Sequence, residues 1–243
     1  MTERRKEAAS RKPAGRVIGT STGVRPAKGP RTDYYDPDCA RCPRLAEFLA
    51  ETHGRYPDYF ARPVPSFGVA APRVLIVGLA PGMHGANRTG RPFTGDYAGV
   101  LLYETLYELG LATRSESVRA DDGLQLRNAR IANAVKCVPP ENKPLPEEIR
   151  QCNGYLQTEL RELTSVRVVL ALGRIAHDSV LLAQGLKRSQ FPFGHGREHA
   201  IAGARHLIDS YHCSRYNTQT RVLTAEMFKT VVARACELAG LQR

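Results

Sequence analysis

Two groups of residues in this chain have the types and spacing to do chemistry. The first is Gly78 to Asp96, GLAPGMHGANRTGRPFTGD, with five glycines, two prolines and one carboxylate in nineteen residues. Glycines let a backbone approach a ligand closely. The lone carboxylate, Asp96, stands where helical periodicity resumes at Tyr97. A helix N-terminus offers unpaired N–H groups and a positive dipole end, which favour an ionised Asp96. Capping that helix is the commonest task of an Asp there, so this role stands beside a chemical one. The second group is the cysteines. Cys39-x-x-Cys42 can place two thiolates on one centre, and Cys137 and Cys152 flank a proline-rich segment. A zinc ribbon usually has two close pairs, whereas the second pair here is wide. That spacing favours an iron–sulfur cluster, with zinc or four unrelated thiols as the alternatives. Cys213 and Cys236 lack ligand-like spacing and are read as unligated.

The elements that must position these groups follow from the apolar pattern. Val74 to Val77 is a continuous apolar run and predicts a buried strand over 73–79. Further strands are predicted at Ala129–Val135, Val166–Leu172 and 205–211. Helices are predicted over about Arg44–His53, Tyr97–Leu111, from Pro146 through Cys152, Arg174–Gln184 and Thr224–Ala239. Pro146-Glu147-Glu148 is a proline-and-acid helix start. Tyr56–Pro72 and Phe191–His199 read as loops, and 113–127 stays unassigned. Strands alternating with helices imply an α/β fold with a mostly parallel sheet covered on both faces. Ligands of such sheets bind beyond the carboxyl ends of the strands. The 78–96 loop, Asn133 and the segment from His212 all leave strands at that edge.

The chain has 243 residues, enough for one α/β domain over 32–243. Its formal net charge is +11, and nine Lys/Arg against two Asp/Glu in residues 1–31 supply +7 of it. That segment is poor in large apolar residues and is expected to be a disordered basic tail. Such an arm suits attraction to phosphates, and equally a solubilising extension. No run of about eighteen apolar residues occurs, so no membrane span is expected. The basic N-terminus lacks an apolar signal core, so a cytoplasmic protein is expected. A disulfide framework does not suit that setting. The Gly-rich loop lacks both GxxxxGK[ST] and GxGxxG, which argues against a nucleotide site.

Taken together and in order, four motifs resemble the uracil-DNA glycosylase superfamily, and most of all its family five, or type b. They are GLAPG at 78–82, GRPFTGD at 90–96, NAVKC at 133–137 and HCSRYNTQT at 212–220, with the four cysteines in family order. The likeness covers about residues 34–240. It implies a three-layer α/β/α sandwich around a four-stranded parallel sheet. It also implies a structural [4Fe–4S] cluster on Cys39, Cys42, Cys137 and Cys152. The implied function is a monofunctional glycosylase that hydrolyses the N-glycosidic bond of uracil, and of other deaminated bases such as hypoxanthine, to start base excision repair. The partner would be duplex DNA with a flipped base, the protein a monomer located with the chromosome. A glycosylase-like protein that binds damaged DNA without releasing base is the alternative.

The resemblance also assigns roles. The backbone of Gly78, Leu79, Ala80, Pro81 and Gly82 would cradle the base and position a water. Sister families carry an acid at the places of Ala80 or Leu79, so the burden falls on Asp96, which would position water and stabilise the oxocarbenium-like sugar. Phe93 would stack on the base, and Asn133 would read its Watson–Crick edge. His212 would donate to the base O2. Arg215, Tyr216 and Asn217 would form the wedge and phosphate contacts, while His84 and Asn87 would order water. His-Cys-Ser stands at 212–214 where sister families have His-Pro-Ser.

Overall fold

A computed structural model of the protein describes residues 34–203 and 205–241. The basic tail anticipated at 1–31 lies outside the described residues. In chain order the elements are α1 (Pro43–Arg55), β1 (Phe67–Gly68), β2 (Val74–Gly78), α2 (Ala86–Thr89), α3 (Tyr97–Glu108), β3 (Ala129–Asn133) and α4 (Pro146–Glu162). They continue with β4 (Val168–Leu172), α5 (Arg174–Ala183), β5 (Glu198–Ile201), β6 (Arg205–Ser210), α6 (Arg215–Gln219) and α7 (Ala225–Leu238).

The sheet order is β1-β3-β2-β4-β6-β5. The central four strands are parallel, as the apolar runs predict. Two antiparallel edges extend them, β1 against β3 and β5 against β6. Neither edge was anticipated: β1 is two residues long, and β5 lies partly inside the segment read as the 191–199 loop. Every residue of β2, β3 and β4 is buried, as expected of strands covered on both faces.

Alternation along β2 assigns the layers. Val74 and Ile76 join the core cluster under α3 and α7, with Leu102, Leu106, Phe228 and Val232. Leu75 and Val77 face the opposite cluster with Leu156, Leu160, Val180 and Leu181 of α4 and α5. The result is helix, sheet, helix. Each such side chain contributes roughly 1.5–3 kcal/mol by leaving water. Cys236 packs into the first cluster on α7, as its apolar position suggested.

Capping fixes where the helices begin. Thr224 accepts from Met227 N at 3.1 Å to start α7. At α4 the Glu148 carboxylate reaches back to Leu145 N at 2.7 Å and also takes both arms of Arg44 from α1. That contact draws the helix carrying Cys152 to the helix that follows Cys42. Behind β3, the fully buried Glu159 accepts from Arg130 Nε at 2.7 Å, Ser66 Oγ at 2.9 Å and Lys136 Nζ at 3.4 Å. This network anchors the chain between Asn133 and Cys137, the segment that links the two candidate sites.

Candidate active site and cysteine cage

The long loop after β2 folds back over the carboxyl edge of the sheet. It contains one short helix, α2, which the glycine content hid from the sequence reading. A cleft of about 550 Å³ opens there. Leu79, Ala80, Gly82 and His84 line it from the first half of the loop, and Phe93 and Asp96 from the second. His212 and Arg215 close it from the segment after β6. Residues from two widely separated motifs therefore share one wall.

Asp96 is the N-cap of α3, and its Oδ1 accepts from Gly99 N at 3.1 Å. The other carboxylate oxygen faces the backbone of Gly82 and Gly85. A Cβ on Gly85 would overlap the carboxylate outright. Among the described residues that line the cleft, Asp96 is the only acid. Burial raises its pKa, against opposition from the Gly99 and Ala98 amides and the Arg88 charge. The helix terminus was expected to favour ionisation; it does so, but burial outweighs it.

Phe93 adopts a left-handed backbone with φ of 53°. The ring is 7% exposed and belongs to the main core cluster. It also lines the cleft. The ring lies 5.9 Å from that of His212, tilted by 30°. Beneath it sits Asn133, the last residue of β3. A Cβ on Gly78 would stand 2.6 Å from Phe93 Cζ and 2.7 Å from Asn133 Oδ1, so only glycine lets the three converge. Asn133 is buried and its Oδ1 has no partner. An unpartnered buried amide oxygen carries a desolvation cost unless a ligand donates to it.

Burial drives the His212 pKa down to about 4, so its imidazole is neutral near pH 7. Asn217 Nδ2 donates to the His212 carbonyl at 2.8 Å, and Ser214 Oγ caps α6 through Asn217 N. The amide of Asn217 is thus engaged in shaping the histidine loop. Cys213, where sister families have proline, is fully buried behind the cleft, and burial pushes its thiol up to about 12. Tyr216 is 73% exposed, and the Arg215 guanidinium lies 5.7 Å over the Tyr97 ring at the cleft mouth. His84 pairs with the Tyr59 hydroxyl at 2.8 Å on the opposite rim. Pro81 is buried and lines nothing in the cleft, and Asn87 is buried with its Nδ2 toward Met83 Sδ.

The sequence reading missed Asn142. It lines the cleft from the proline-rich loop after Cys137, with a left-handed backbone at φ 57°. Its signal was available: an Asn in a loop that leaves β3 at the same sheet edge.

Cys39, Cys42, Cys137 and Cys152 line one small cavity between α1, the post-β3 loop and α4. Lys136 N donates to Cys152 Sγ at 3.3 Å. The Tyr155 hydroxyl, buried without a nitrogen or oxygen partner, faces Cys39, and Arg41 lies 4.8 Å over its ring. Burial, then the charge of Cys152, raises the Cys42 thiol to about 11, and the same two causes raise Cys137. Ionising them together calls for a cationic centre between them.

A three-layer sheet protein with an acid, an aromatic ring and a neutral histidine lining one cleft defines a class, and residues 65–235 match the model of the uracil DNA glycosylase superfamily. The chain belongs to that superfamily, within its type-5 group. It is 50% identical over 208 residues to the Type-5 uracil-DNA glycosylase of Thermus thermophilus, covering 84% of this chain and 94% of that protein. It is 43% identical over 207 residues to the Pyrobaculum aerophilum protein of the same name, covering 84% and 90%. The Type-5 uracil-DNA glycosylase of Mycobacterium tuberculosis is 40% identical over 212 residues, covering 84% and 79%. Among the described residues no helix is long and apolar enough to cross a membrane.

Proposed function

We propose that this protein is a uracil-DNA glycosylase that hydrolyses the N-glycosidic bond of uracil, and of hypoxanthine, in duplex DNA. The observation that carries the reading is the position of Asp96, the single acid among the described residues lining a cleft that Phe93 and a neutral His212 also line. The target base leaves the stack and enters the cleft, at a cost of a few kcal/mol. It stacks on Phe93, and Asn133 pairs with its edge. As the bond breaks, positive charge grows on the sugar and negative charge on the base. Ionised Asp96 stabilises the first and orients a water toward the sugar carbon. His212, neutral, donates its N–H toward the second. Ala80 and Leu79 bring only backbone and apolar surface to this wall, so neither supplies a base. Arg215 contacts phosphate, and Tyr216 fills the gap left by the flipped base.

The breadth toward hypoxanthine rests on the small number of edge-reading groups around Asn133. Duplexes with uracil, hypoxanthine or xanthine opposite each base test it. Release of uracil and hypoxanthine is expected; release of uracil alone would remove the broad-specificity reading.

The four cysteines fit a structural [4Fe–4S] cluster, with their shared cavity, the Lys136 amide and the Arg41 charge as support. When bound, the cluster ties α1 and α4 to the segment after Asn133. Anaerobically purified protein should be brown with absorbance near roughly 400 nm, and Cys137→Ser should lose the colour. Colourless protein with one zinc per chain would contradict this.

A further inference from the structure

Away from the cleft and the cysteines, a third group of ligand-type side chains is packed beneath the loop 191–197. His177 on α5, His199 on β5 and Asp209 on β6 bring one donor atom each to within 4.8 Å of one another. His177 Nδ1 stands 2.7 Å from Asp209 Oδ1, and His199 Nε2 stands 3.8 Å from Asp209 Oδ2.

The outer nitrogens of both rings face backbone carbonyls of the same loop. His177 Nε2 donates to Phe191 O at 2.8 Å, and His199 faces Pro192 O with its other nitrogen. Each ring therefore turns its remaining nitrogen to one oxygen of the same carboxylate. A carbonyl behind the ring is the support that metal-binding histidines commonly have, because it fixes the tautomer and aims the free lone pair.

The His199 side chain is nine-tenths buried, and its Nε2 has no hydrogen-bond partner. Asp209 is fully buried, and among the described residues its ion-pair partners are these two histidines alone. Gly194 N donates to its Oδ2 at 3.3 Å. Nearby charges are second-rank: Arg197 donates to Pro192 O at 3.4 Å, Asp178 lies toward His177, and Arg174 covers the Phe193 ring at 5.4 Å. Phe193 and Phe191 pack edge-on against His177 and His199 and keep the group dry.

We propose that His177, His199 and Asp209 form a binding site for one divalent first-row transition ion, separate from the four-cysteine set. Nitrogen and carboxylate oxygen hold such ions at about 2.0–2.2 Å, which places tetrahedral donors roughly 3.3 Å apart. The two nitrogen-to-oxygen separations, 2.7 Å and 3.8 Å, lie on either side of that value. The ion fastens loop 191–197 to β6, the strand that delivers His212. The loop is already braced there by Tyr211 N donating to His195 Nδ1 at 3.1 Å and by the stacking of those two rings at 5.0 Å.

Cobalt(II) is the probe, because its spectrum separates nitrogen and oxygen donors from thiolates. Wild type, His199→Gln and Asp209→Asn, each carrying its native cysteine centre, are dialysed against cobalt(II) and assayed for bound metal, visible spectrum and Tm. Wild type should hold one further equivalent, with visible ligand-field bands and no sulfur-to-metal charge-transfer band, and its Tm should rise. His199→Gln should fold, lose that equivalent and show no Tm response. Asp209→Asn should do the same if it folds. Absence of the extra equivalent in wild type, or its retention in His199→Gln, would overturn the proposal; a proton shared by His177 and Asp209 would then be all the site holds.

Discussion

The carboxylate of Asp96 lies directly against the backbone of Gly85, so closely that a single methyl group at Gly85 would occupy the carboxylate's own space. The N-cap residue of α2 thus also limits where Asp96, the only acid lining the cleft among the described residues, can stand. Asp96 is held on its other side by Gly99 N. Its Oδ2 lies against Gly85 and Gly82, on the opposite side from the Gly99 amide that Oδ1 accepts.

Gly85→Ala should therefore disable the site from outside the chemistry. The added Cβ must push Asp96 off its position, and a misplacement of about 1 Å can cost on the order of 100-fold in rate. Single-turnover release of uracil should fall by about 10- to 100-fold, with little change in DNA affinity. Undiminished release would show that the Asp96 position is not critical.

His212 should impose a pH dependence on stability. Its pKa is about 4 in the folded protein, below the ordinary value of 6.5, because burial disfavours the imidazolium. As pH falls below 6.5 the unfolded chain takes up this proton first, so stability is full above 6.5 and is lost progressively down to about 4. The whole window corresponds to about 3 kcal/mol or less. Urea titrations of wild type and His212→Asn between pH 7 and pH 4 should show a shallower decline in the variant. Parallel declines would contradict the assigned burial effect.

Glu159 should prove structural. Burial alone would raise its pKa, but Lys136 and Arg130 hold it below the usual carboxylate range. Glu159→Gln leaves two buried cations without a counter-charge, at about 3–5 kcal/mol. Chemical denaturation should report that loss. A change under about 1 kcal/mol would mean that the network is looser than its distances imply.

Much of this was legible in the sequence, for identifiable reasons. The four parallel strands announced themselves because strands covered on both faces are continuous apolar runs, as at Val74–Val77 and Val168–Leu172. Asp96 could be placed as an N-cap because its position before Tyr97 is a local signal. The edges could not be read: Phe67–Gly68 is too short to show a period, and Glu198–Ile201 exposes much of its length. The burial of Phe93 could not be read, since a Pro-Phe-Thr-Gly context does not reveal that the chain turns through a left-handed residue and sends the ring into the core. The convergence of His177, His199 and Asp209 comes from three elements far apart in sequence, and only β5, an unanticipated strand, brings His199 to the other two.

The central claim is that Asp96 carries the hydrolysis, in a loop where Ala80 and Leu79 carry no acid. The direct measurement is single-turnover release of uracil from duplex DNA by wild type and Asp96→Asn, with the dissociation constant of each for the same duplex. Asn caps a helix about as well as Asp, so the fold and α3 are kept. Release should fall by about 1,000-fold, as expected when a preorganised transition-state contact is removed, with binding unchanged. Release within a few-fold of wild type would contradict the account.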